Sequence, residues 1–364
     1  MPPLGTAQGV PVTLVRVDEA RTTPIWLDGA VATRPYVPRP SGRAAHPHAD
    51  DRDAYSEAVL HEALACIRAH HAAQPDWWAC QARTLCVSSE RCTNELAACV
   101  EAAEREPGST HWAHVLHTND GESDARIVWE RGAKAHTYVL PPRSAFLLTD
   151  LLPPTRRMPH GWASVRALVH AHGGASLVVV DPPWPNLSAQ RAHRHSAHGY
   201  GTVQDIYDLW RLRPALETIL GPDTLLAVWV TNAPRIQRFV VDKLMPALGI
   251  VHQATWAWLK VTAPTGGALP DPVVPLDRDA RHFRRPYELV LLGARTPQAV
   301  APRHILVSVP LGHSAKPYLG RALGVQRGAI VELFARHVSG GGAPMHLSVG
   351  NEAVRGNEVR RVGM

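Results

Sequence analysis

The sequence lacks several features that would place it in a common protein class. No apolar run approaches the ~20 residues that a membrane-spanning helix needs, and residues 1–12 show no secretory pattern, so we expect neither a membrane anchor nor a signal peptide. Cysteine is scarce and forms no Cys-x2-Cys pair, which argues against a zinc site. The cysteines are Cys66, Cys80, Cys86, Cys92 and Cys99. We expect reduced, mostly buried thiols and no metal, with a site shared with nearby histidines as the open alternative.

The charge balance is basic. The net charge is +6 with 21 histidines counted as neutral, in a chain of 364 residues. This length allows one large domain or two modest ones with an ample core. A mildly basic chain is compatible with a nucleic-acid partner, although the composition alone does not establish one.

Composition divides the chain into three segments. Residues 1–50 are rich in proline, arginine, alanine and histidine without periodicity, which predicts an irregular arm. Residues 51–143 combine helix and strand patterns, which predicts a small α+β domain. Those patterns lie at 55–74, 88–106, 126–129 and 136–140. Residues 144–364 form the third predicted domain.

From residue 144 onward, apolar runs typical of strands alternate with loops and helices. The runs lie at 146–148, 176–180, 224–230, 255–259, 287–292, 304–309 and 329–334. Thr202 and Asp205 are spaced as a capping box for one helix, and Asn232 is expected to cap another, with Pro234 in its first turn. Alternating units of this kind predict a mostly parallel α/β sheet with helices on both faces.

The tetrapeptide Asp181-Pro182-Pro183-Trp184 follows the apolar run 177–180, so we expect it at the carboxyl end of a buried strand, where open α/β sheets bind ligands. A carboxylate and a backbone carbonyl can both accept hydrogen bonds from an aromatic amino group. The two prolines fix the backbone between them, and Trp184 can stack on a flat base. We interpret the motif as a holder for an exocyclic amino group whose lone pair faces an electrophile.

With this motif, the order of short blocks over residues 144–352 resembles the MT-A family of adenine-N6 methyltransferases, named after the seventy-kilodalton subunit of the messenger-RNA methyltransferase. The other blocks are Val228-Trp229-Val230-Thr231-Asn232, Trp256-Ala257-Trp258-Leu259-Lys260, Arg285-Pro286-Tyr287-Glu288, Ser308-Val309-Pro310, His313-Ser314-Ala315-Lys316-Pro317, Glu332-Leu333-Phe334-Ala335-Arg336 and Gly350-Asn351-Glu352. The sequences of these blocks are most similar to the methyltransferase-like four branch. That branch also has a leucine-rich strand ending in Asp, as at 147–150.

The resemblance implies a Rossmann-like, S-adenosylmethionine-dependent methyltransferase with permuted motif order, in which the catalytic strand comes first and the main cofactor-binding strand comes last. No Gly-x-Gly-x-x-Gly is expected, and none lies near Phe334. The implied catalytic residues are Asp181, Pro182, Pro183 and Trp184. The implied cofactor-binding residues are Asp150, Arg285, Ser314, Lys316, Arg336, Asn351 and Glu352. Among them, Asp150 is expected at the cofactor adenine and Arg285 near its carboxylate.

Polar and basic residues near the motif are candidates for contacts with the acceptor. They are Asn186, Ser188, Arg191, Arg194 and Arg284. A phosphate track and a solvated charged loop explain the basic ones equally well. The long loop 262–284 is a candidate lid or substrate clamp.

The resemblance implies methyl transfer to the N6 amino group of adenine in nucleic acid. RNA is expected over DNA, with 2′-O-methylated adenosine of small nuclear RNA as the acceptor. The same resemblance implies a nuclear protein, with the cytoplasm as a second location, and a monomer rather than an obligate heterodimer. The alternatives are a DNA adenine methyltransferase, an enzyme acting on cytosine N4 or a protein amide, and a silent RNA-binding partner of an active paralogue. Silent partners usually lose the acidic or aromatic residue of the motif, and this chain keeps both.

Overall fold

The computed structural model describes residues 3–15, 55–77, 93–105, 112–131, 134–153, 158–185, 205–264, 267–276, 285–310, 316–340 and 344–359. Within them the strands are β1 (Gly5–Ala7), β2 (Val10–Leu14), β3 (Leu116–Asn119), β4 (Ala125–Arg131), β5 (Lys134–Leu140), β6 (Ser144–Leu148), β7 (Ala175–Val180), β8 (Leu225–Val230), β9 (Val251–Lys260), β10 (Tyr287–Ala294), β11 (Arg303–Ser308), β12 (Ala329–Leu333), β13 (Met345–Gly350) and β14 (Glu358–Val359).

The α-helices of the same residues are α1 (Glu57–Ala73), α2 (Thr93–Arg105), α3 (Trp162–Ala171), α4 (Arg213–Glu217), α5 (Pro234–Phe239), α6 (Met245–Ala247) and α7 (Leu319–Ala322). A 3-10 segment, Ile206–Leu212, leads into α4, and a π-helical turn, Val240–Leu244, joins α5 to α6. A short 3-10 turn, Arg355–Asn357, precedes β14.

Most strands form one large sheet, in the order β1-β2-β11-β9-β10-β8-β7-β12-β13-β6-β3. Its centre is parallel, because β6, β13, β12, β7 and β8 run in one direction. Strand β10 is inserted antiparallel between β8 and β9. The two central neighbours β7 and β12 are far apart in the chain, and β7 comes first. The prediction of a mostly parallel α/β sheet is confirmed.

Alternation along the strands divides the core into two layers. Val178 and Val180 of β7 lie in the layer that also contains residues of α1, α3 and α5, which we call the α3 face. Leu177 and Val179 point the other way and pack in a layer closed by Leu319 of α7, which we call the α7 face. Because both faces are covered, β7 is apolar at almost every position, which is why its sequence reads as an unbroken apolar run.

The first strands correct one expectation. Residues 1–50 are predicted to be irregular, and this is wrong for the residues of β1 and β2, which form an antiparallel hairpin. Strand β2 pairs in parallel with β11, with Val12 opposite Ile305, and thereby extends the large sheet. Helix α1 packs on the hairpin. The buried Tyr55 just before α1 accepts a hydrogen bond from the amide of His304 and donates to backbone carbonyls of β9 and β11.

The helices and strands predicted in residues 51–143 are present. Helices α1 and α2 lie within the predicted ranges, and β4 and β5 form a hairpin that β14 extends to a second, three-stranded sheet. Strand β3, in contrast, joins the edge of the large sheet beside β6. Strands from all three predicted segments are therefore hydrogen-bonded in one sheet, and the proposed division into domains stays a prediction.

Two helix caps differ from expectation. The capping box before the 3-10 segment is formed by Asp205 and Asp208, while Thr202 lies outside the described residues. The residue at the cap of α5 is Ala233, with Pro234 in the first turn as predicted. Asn232 does not cap the helix, because its Nδ2 donates to the carbonyl oxygen of Tyr287 at 2.7 Å. The side chain therefore ties the end of β8 to the start of β10.

Three further observations concern the described residues. None of their helices is both long and apolar enough to span a bilayer. No three of their histidine, cysteine, aspartate and glutamate side chains are grouped closely enough to hold a metal ion. Cys66 and Cys99 are not in disulfides, and Cys99 is buried.

Candidate active site

The predicted catalytic motif lies at the carboxyl edge of the sheet. The amide of Asp181 donates to the carbonyl oxygen of Leu333 at 3.3 Å, which extends the pairing of β7 with β12 by one residue. The prolines that follow have no N–H groups and end the ladder. The amide of Trp184 then donates to the carbonyl oxygen of Pro182 at 2.7 Å and closes a tight turn. One lone pair of the predicted acceptor carbonyl is thus already used within the motif.

Trp184 is a packing residue in this structure. Its side chain is only 6% exposed, and its Nε1 donates to the carbonyl oxygen of Trp229 at 2.7 Å. The ring also meets Phe239 of α5 edge-on, with centroids 6.5 Å apart. The indole therefore anchors the turn against β8 and α5. Stacking on a base requires that its ring face be uncovered, and that role stays a prediction.

The carboxylate of Asp181 faces a lysine that the sequence places far away. Nζ of Lys316 lies 3.1 Å from Oδ2 of Asp181 and 3.2 Å from Oε2 of Glu288. Glu288 is in turn paired with Nζ of Lys260. Carboxylates and ammonium groups thus alternate in a chain, Asp181–Lys316–Glu288–Lys260, which we call the charge chain. Lys316, predicted as a cofactor contact, is here bound to the carboxylate of Asp181, the predicted catalytic residue.

The charge chain alters the proton affinities of its central members. Burial alone would raise the pKa of Glu288, but Lys316 and Lys260 outweigh it and lower that pKa to about 2. Burial alone would lower the pKa of Lys316, but Asp181 and Glu288 outweigh it and raise that pKa above its ordinary value. Glu288 is therefore anionic and Lys316 cationic throughout the neutral range.

The charge chain lies on tryptophan rings of the α7 face. Nζ of Lys316 is 5.9 Å from the ring centroid of Trp229 on β8, and Nζ of Lys260 is 4.5 Å from that of Trp258 on β9. The two rings meet edge-on, and Nε1 of Trp258 donates to Oγ of Ser308 at 2.7 Å. Cations over aromatic faces gain electrostatic attraction, so the rings help to fix both lysines.

Sequence reasoning gave no role to Glu288 or Lys260, although both stand in the blocks that carry the resemblance. Their proximity follows from the register of two antiparallel strands, in which Glu288 on β10 is opposite Trp258 on β9. Lys260 is two residues further along β9 and so projects from the same face. Alternation alone would have placed each residue on a face, but only the register makes them neighbours.

Four of the predicted cofactor residues, Asp150, Arg336, Asn351 and Glu352, follow β6, β12 and β13 next to the motif. Asp150 follows β6, and its Oδ1 accepts from the amide of Leu152 at 2.9 Å. Asn351 follows β13 at the same edge of the sheet. A Cβ added to Gly350 would lie 3.3 Å from the backbone nitrogen of Ala335, so glycine allows the ends of β12 and β13 to approach closely.

Glu352 is positioned to hold arginines rather than to line an open pocket. Its side chain is 1% exposed, and its Oε2 lies 3.8 Å from Nε of Arg336 and 3.4 Å from Nη1 of Arg355. A buried carboxylate requires such partners, because an unpaired buried charge is very costly. Of the two arginines, Arg336 has the more exposed side chain, 33% against 21% for Arg355, so a ligand reaches Arg336 more easily.

Arg285 lies at the same edge of the sheet. It precedes β10, which runs antiparallel to β8, so the start of β10 lies beside the carboxyl end of β8, with Leu289 opposite Val230. Its Nη1 donates to the hydroxyl of Tyr287 at 3.2 Å, and its guanidinium lies 5.9 Å from that ring. The remaining predicted site residues lie outside the described residues. They are Ser314, Asn186, Ser188, Arg191, Arg194 and Arg284.

The residues at this edge fit a nucleoside-bearing cofactor. The hydroxyl of Thr149 is fully buried beside Asp150 and has no hydrogen-bond partner among the described residues. A small cavity beside Lys316, Tyr318 and Ser348 has room for about one water molecule and is too small for such a ligand. The half-buried side chains of Asp150, Asn351 and Arg336 offer acceptors and donors at this edge, which suit a ligand with ribose hydroxyls and an amino-acid tail.

Comparison with known proteins agrees with this geometry. Residues 175–352 match the MT-A70 family. The human protein named N(6)-adenine-specific methyltransferase METTL4 is 29% identical over 253 residues, which cover 65% of this chain and 46% of that protein. The Cryphonectria parasitica protein named N6-methyladenosine RNA methyltransferase MTA1 is 33% identical over 175 residues, which cover 45% of this chain and 48% of that protein.

A third relative carries a different substrate in its name. The Caenorhabditis elegans protein named DNA N6-methyl methyltransferase is 28% identical over 224 residues, which cover 59% of this chain and 53% of that protein. The chain thus spans about half the length of the curated relatives described here.

Proposed function

We propose, from the match of residues 175–352 to the MT-A70 family and the similarity to METTL4, that this chain transfers a methyl group from S-adenosylmethionine to the N6 amino group of adenine in nucleic acid. The observation that carries the proposal is the placement of Asp181. Its carboxylate stands at the carboxyl end of β7 with Oδ2 on Lys316, and Oδ1 has no partner among the described residues. An acceptor oxygen at this edge is what an exocyclic amino group requires.

The chain's residues would hold the two reactants at neighbouring strand ends. Asp150, Asn351 and Arg336 surround the place where β6, β13 and β12 end, and they are the residues proposed to hold the cofactor. The cofactor supplies a methyl group already activated by a positively charged sulfur. No nucleophilic side chain or metal ion is then needed, and the protein contributes position and electrostatics.

Asp181 would act on the acceptor nitrogen. The lone pair of an adenine amino group is delocalised into the ring, which makes the nitrogen a poor nucleophile. A hydrogen bond from this group to Oδ1 of Asp181 would draw on an N–H bond and localise the lone pair. The second lone pair of the Pro182 carbonyl is available for the other N–H. Holding the reacting atoms in line supplies at best ~7–11 kcal/mol of the barrier.

The acceptor that we propose is adenine in RNA, and specifically 2′-O-methylated adenosine in small nuclear RNA, with the protein acting as a monomer in the nucleus. The names of two relatives support adenine N6 and RNA. Adenine in DNA is the second candidate, favoured by the name of the nematode relative. The proposed cofactor and reaction are the same in both cases.

The test is incubation with labelled S-adenosylmethionine and matched RNA and DNA oligonucleotides, followed by nucleoside analysis. Asp181→Asn serves as the inactive control, because it keeps the shape of the side chain. We expect N6-methyladenosine from RNA, and N6-methyl-2′-O-methyladenosine where the acceptor carries the 2′ methyl group. Label in cytosine, or in protein alone, would refute adenine N6 as the acceptor. Equal labelling by the wild type and the control would refute the assignment of the site.

A further inference from the structure

Glu288 lies one step away from the catalytic carboxylate. The ammonium group of Lys316 is 3.2 Å from Glu288 and 3.1 Å from Asp181, so one cation joins the two carboxylates. They come from β10 and from the end of β7, and β8 lies between those strands in the sheet. The cation spans this gap above Trp229 of β8. Glu288 therefore influences Asp181 without touching it.

The two oxygens of Asp181 are not equivalent in this arrangement. Oδ2 accepts from Lys316, and Oδ1 has no partner within the described part of the chain. A lysine ammonium has three N–H donors on a flexible stem. If Asp181 were its only carboxylate, Lys316 could move across and occupy both oxygens. The second carboxylate, Glu288, keeps it on one side.

We propose that Glu288 is a positioning residue for methyl transfer, which holds Lys316 on Oδ2 of Asp181 and so keeps Oδ1 for the acceptor amino group. The inference rests on the proposed function, because it gives Oδ1 the task of receiving that amino group. It adds a residue that contacts neither reactant and acts through Lys316.

Glu288 is itself fixed in place. Lys260 binds it from the side away from Asp181, and the Lys260 ammonium lies over the ring of Trp258. The side chain of Glu288 is 29% exposed and that of Lys316 is 15% exposed, so solvent screens this contact less than a surface pair. The low pKa of Glu288, caused by the two lysines against the opposing effect of burial, agrees with a permanent negative charge at this point.

The test compares Glu288→Gln with the wild type. The amide keeps the shape of the side chain but removes the charge that restrains Lys316. We expect kcat to fall by at least about tenfold, since a displaced reacting group costs up to about a hundredfold. The KM for S-adenosylmethionine should stay within about threefold, because a residue that acts only through Lys316 and Asp181 adds nothing to cofactor binding. Glu288→Asp keeps the charge and should restore part of kcat.

The matched control is Glu217→Gln, which removes a carboxylate paired with Arg213 on the exposed side of α4 and should leave kcat unchanged. Melting temperatures of all variants show whether the fold is kept. A Glu288→Gln protein that melts like the wild type and keeps kcat within about twofold would overturn the proposal. So would an equal loss of kcat in Glu288→Gln and Glu288→Asp, because charge would then not matter.

Failure of the proposed function gives a different result. In that case the wild type itself methylates no adenine, and the positioning role is decided by ¹³C NMR of the Lys316 side chain. With two carboxylates beside it, Lys316 should stay protonated to a higher pH in the wild type than in Glu288→Gln. Identical titration of Lys316 in the two proteins would refute the positioning role whatever the reaction.

Discussion

Nε1 of Trp184 donates a 2.7 Å hydrogen bond to the backbone carbonyl oxygen of Trp229. This contact joins the last residue of the predicted catalytic motif to β8, on which the ring of Trp229 supports Lys316. A buried indole N–H with a backbone partner is costly to remove, because the carbonyl oxygen is then left without its donor. The motif is thus held at both ends, by Leu333 before the prolines and by Trp229 after them.

Trp184→Phe should lower the free energy of unfolding by about 1–3 kcal/mol, through the lost hydrogen bond and the small cavity. Urea denaturation measures this change. The control is Trp210→Phe, because Trp210 also meets Phe239 edge-on but is only partly buried. We expect a smaller loss for the control. If Trp184→Phe is as stable as the wild type and only nucleic-acid affinity falls, the ring is a stacking residue instead of an anchor.

Asp181→Ala should abolish methyl transfer while leaving S-adenosylmethionine binding nearly intact. The carboxylate is proposed to hold the acceptor amino group, and Lys316 keeps Glu288 as a partner after the substitution. Calorimetry with the cofactor and a methylation assay with an adenine oligonucleotide check the two parts. Asp208→Ala, which removes a carboxylate paired with Arg211 near the surface, is the control. Activity of Asp181→Ala within a few-fold of the wild type would remove Asp181 from the mechanism.

Asn351→Ala should weaken S-adenosylmethionine binding more than nucleic-acid binding. The residue directly follows β13, where the approach of Gly350 to Ala335 brings two strand ends together. Loss of one hydrogen-bonding side chain at a ligand typically costs about 0.5–1.5 kcal/mol, which is up to about a tenfold change in the dissociation constant. Calorimetry measures the cofactor constant, and fluorescence anisotropy with a labelled oligonucleotide measures the other. An unchanged cofactor constant would show that Asn351 does not contact the ligand.

Stability should fall in mild acid because of a buried histidine. His346 on β13 is 3% exposed, and burial lowers its pKa to about 4. Its pKa in the unfolded chain is about 6.5. Between these values the unfolded state binds more protons, so this contribution is present above about pH 6.5 and is lost as the pH falls towards 4.

For His346 alone, the loss between pH 7 and pH 5 is about 2 kcal/mol. Urea denaturation of the wild type and of His346→Gln at both pH values measures it. Glutamine can still bond with Tyr318, whose hydroxyl lies 3.2 Å from Nε2 of His346. Between pH 7 and pH 5, the free energy of unfolding should fall less in His346→Gln than in the wild type. In His61→Gln, which changes an exposed residue, it should fall as much as in the wild type. Equal pH dependence in all three proteins would mean that His346 binds a proton as readily in the folded state as in the unfolded state.

Strands that are apolar on both faces could be predicted from the sequence alone. Strands β7 and β8 are of this kind, and their unbroken apolar runs indicate buried strands without knowledge of the fold. Strand β13 is equally buried but was not predicted, because His346 and Ser348 interrupt its pattern. Nε2 of His346 lies 3.2 Å from the hydroxyl of Tyr318, and Oγ of Ser348 donates to the carbonyl oxygen of His337 at 2.9 Å. Both partners lie outside β13, so the pattern of the strand itself does not indicate them.

The hairpin β1–β2 was missed for a related reason. Pro11 argues against a strand, but it lies before Val12, the first residue that pairs with β11. At the site, the motif and the polar strand ends could be predicted, since each follows a recognisable strand. The pairing of Lys316 with Asp181 could not, because the two residues are 135 positions apart in the sequence. Long-range geometry of this kind leaves no local pattern.

The acceptor should be an unpaired adenine. Extruding a base from a duplex costs a few kcal/mol, and no pattern in this sequence indicates a helix that reads the major groove and offsets that cost. We therefore expect the slowest reaction with duplex DNA. From the family resemblance alone, we expect faster methylation of single-stranded RNA than of single-stranded DNA. The assay compares one sequence in the three forms at fixed ionic strength. Charge reversal at Arg191 and Arg194, which lie outside the described residues, should lower nucleic-acid affinity and flatten its salt dependence, because each lost phosphate contact reduces the salt slope. Faster turnover on the duplex would refute the unpaired acceptor and would favour DNA as the substrate.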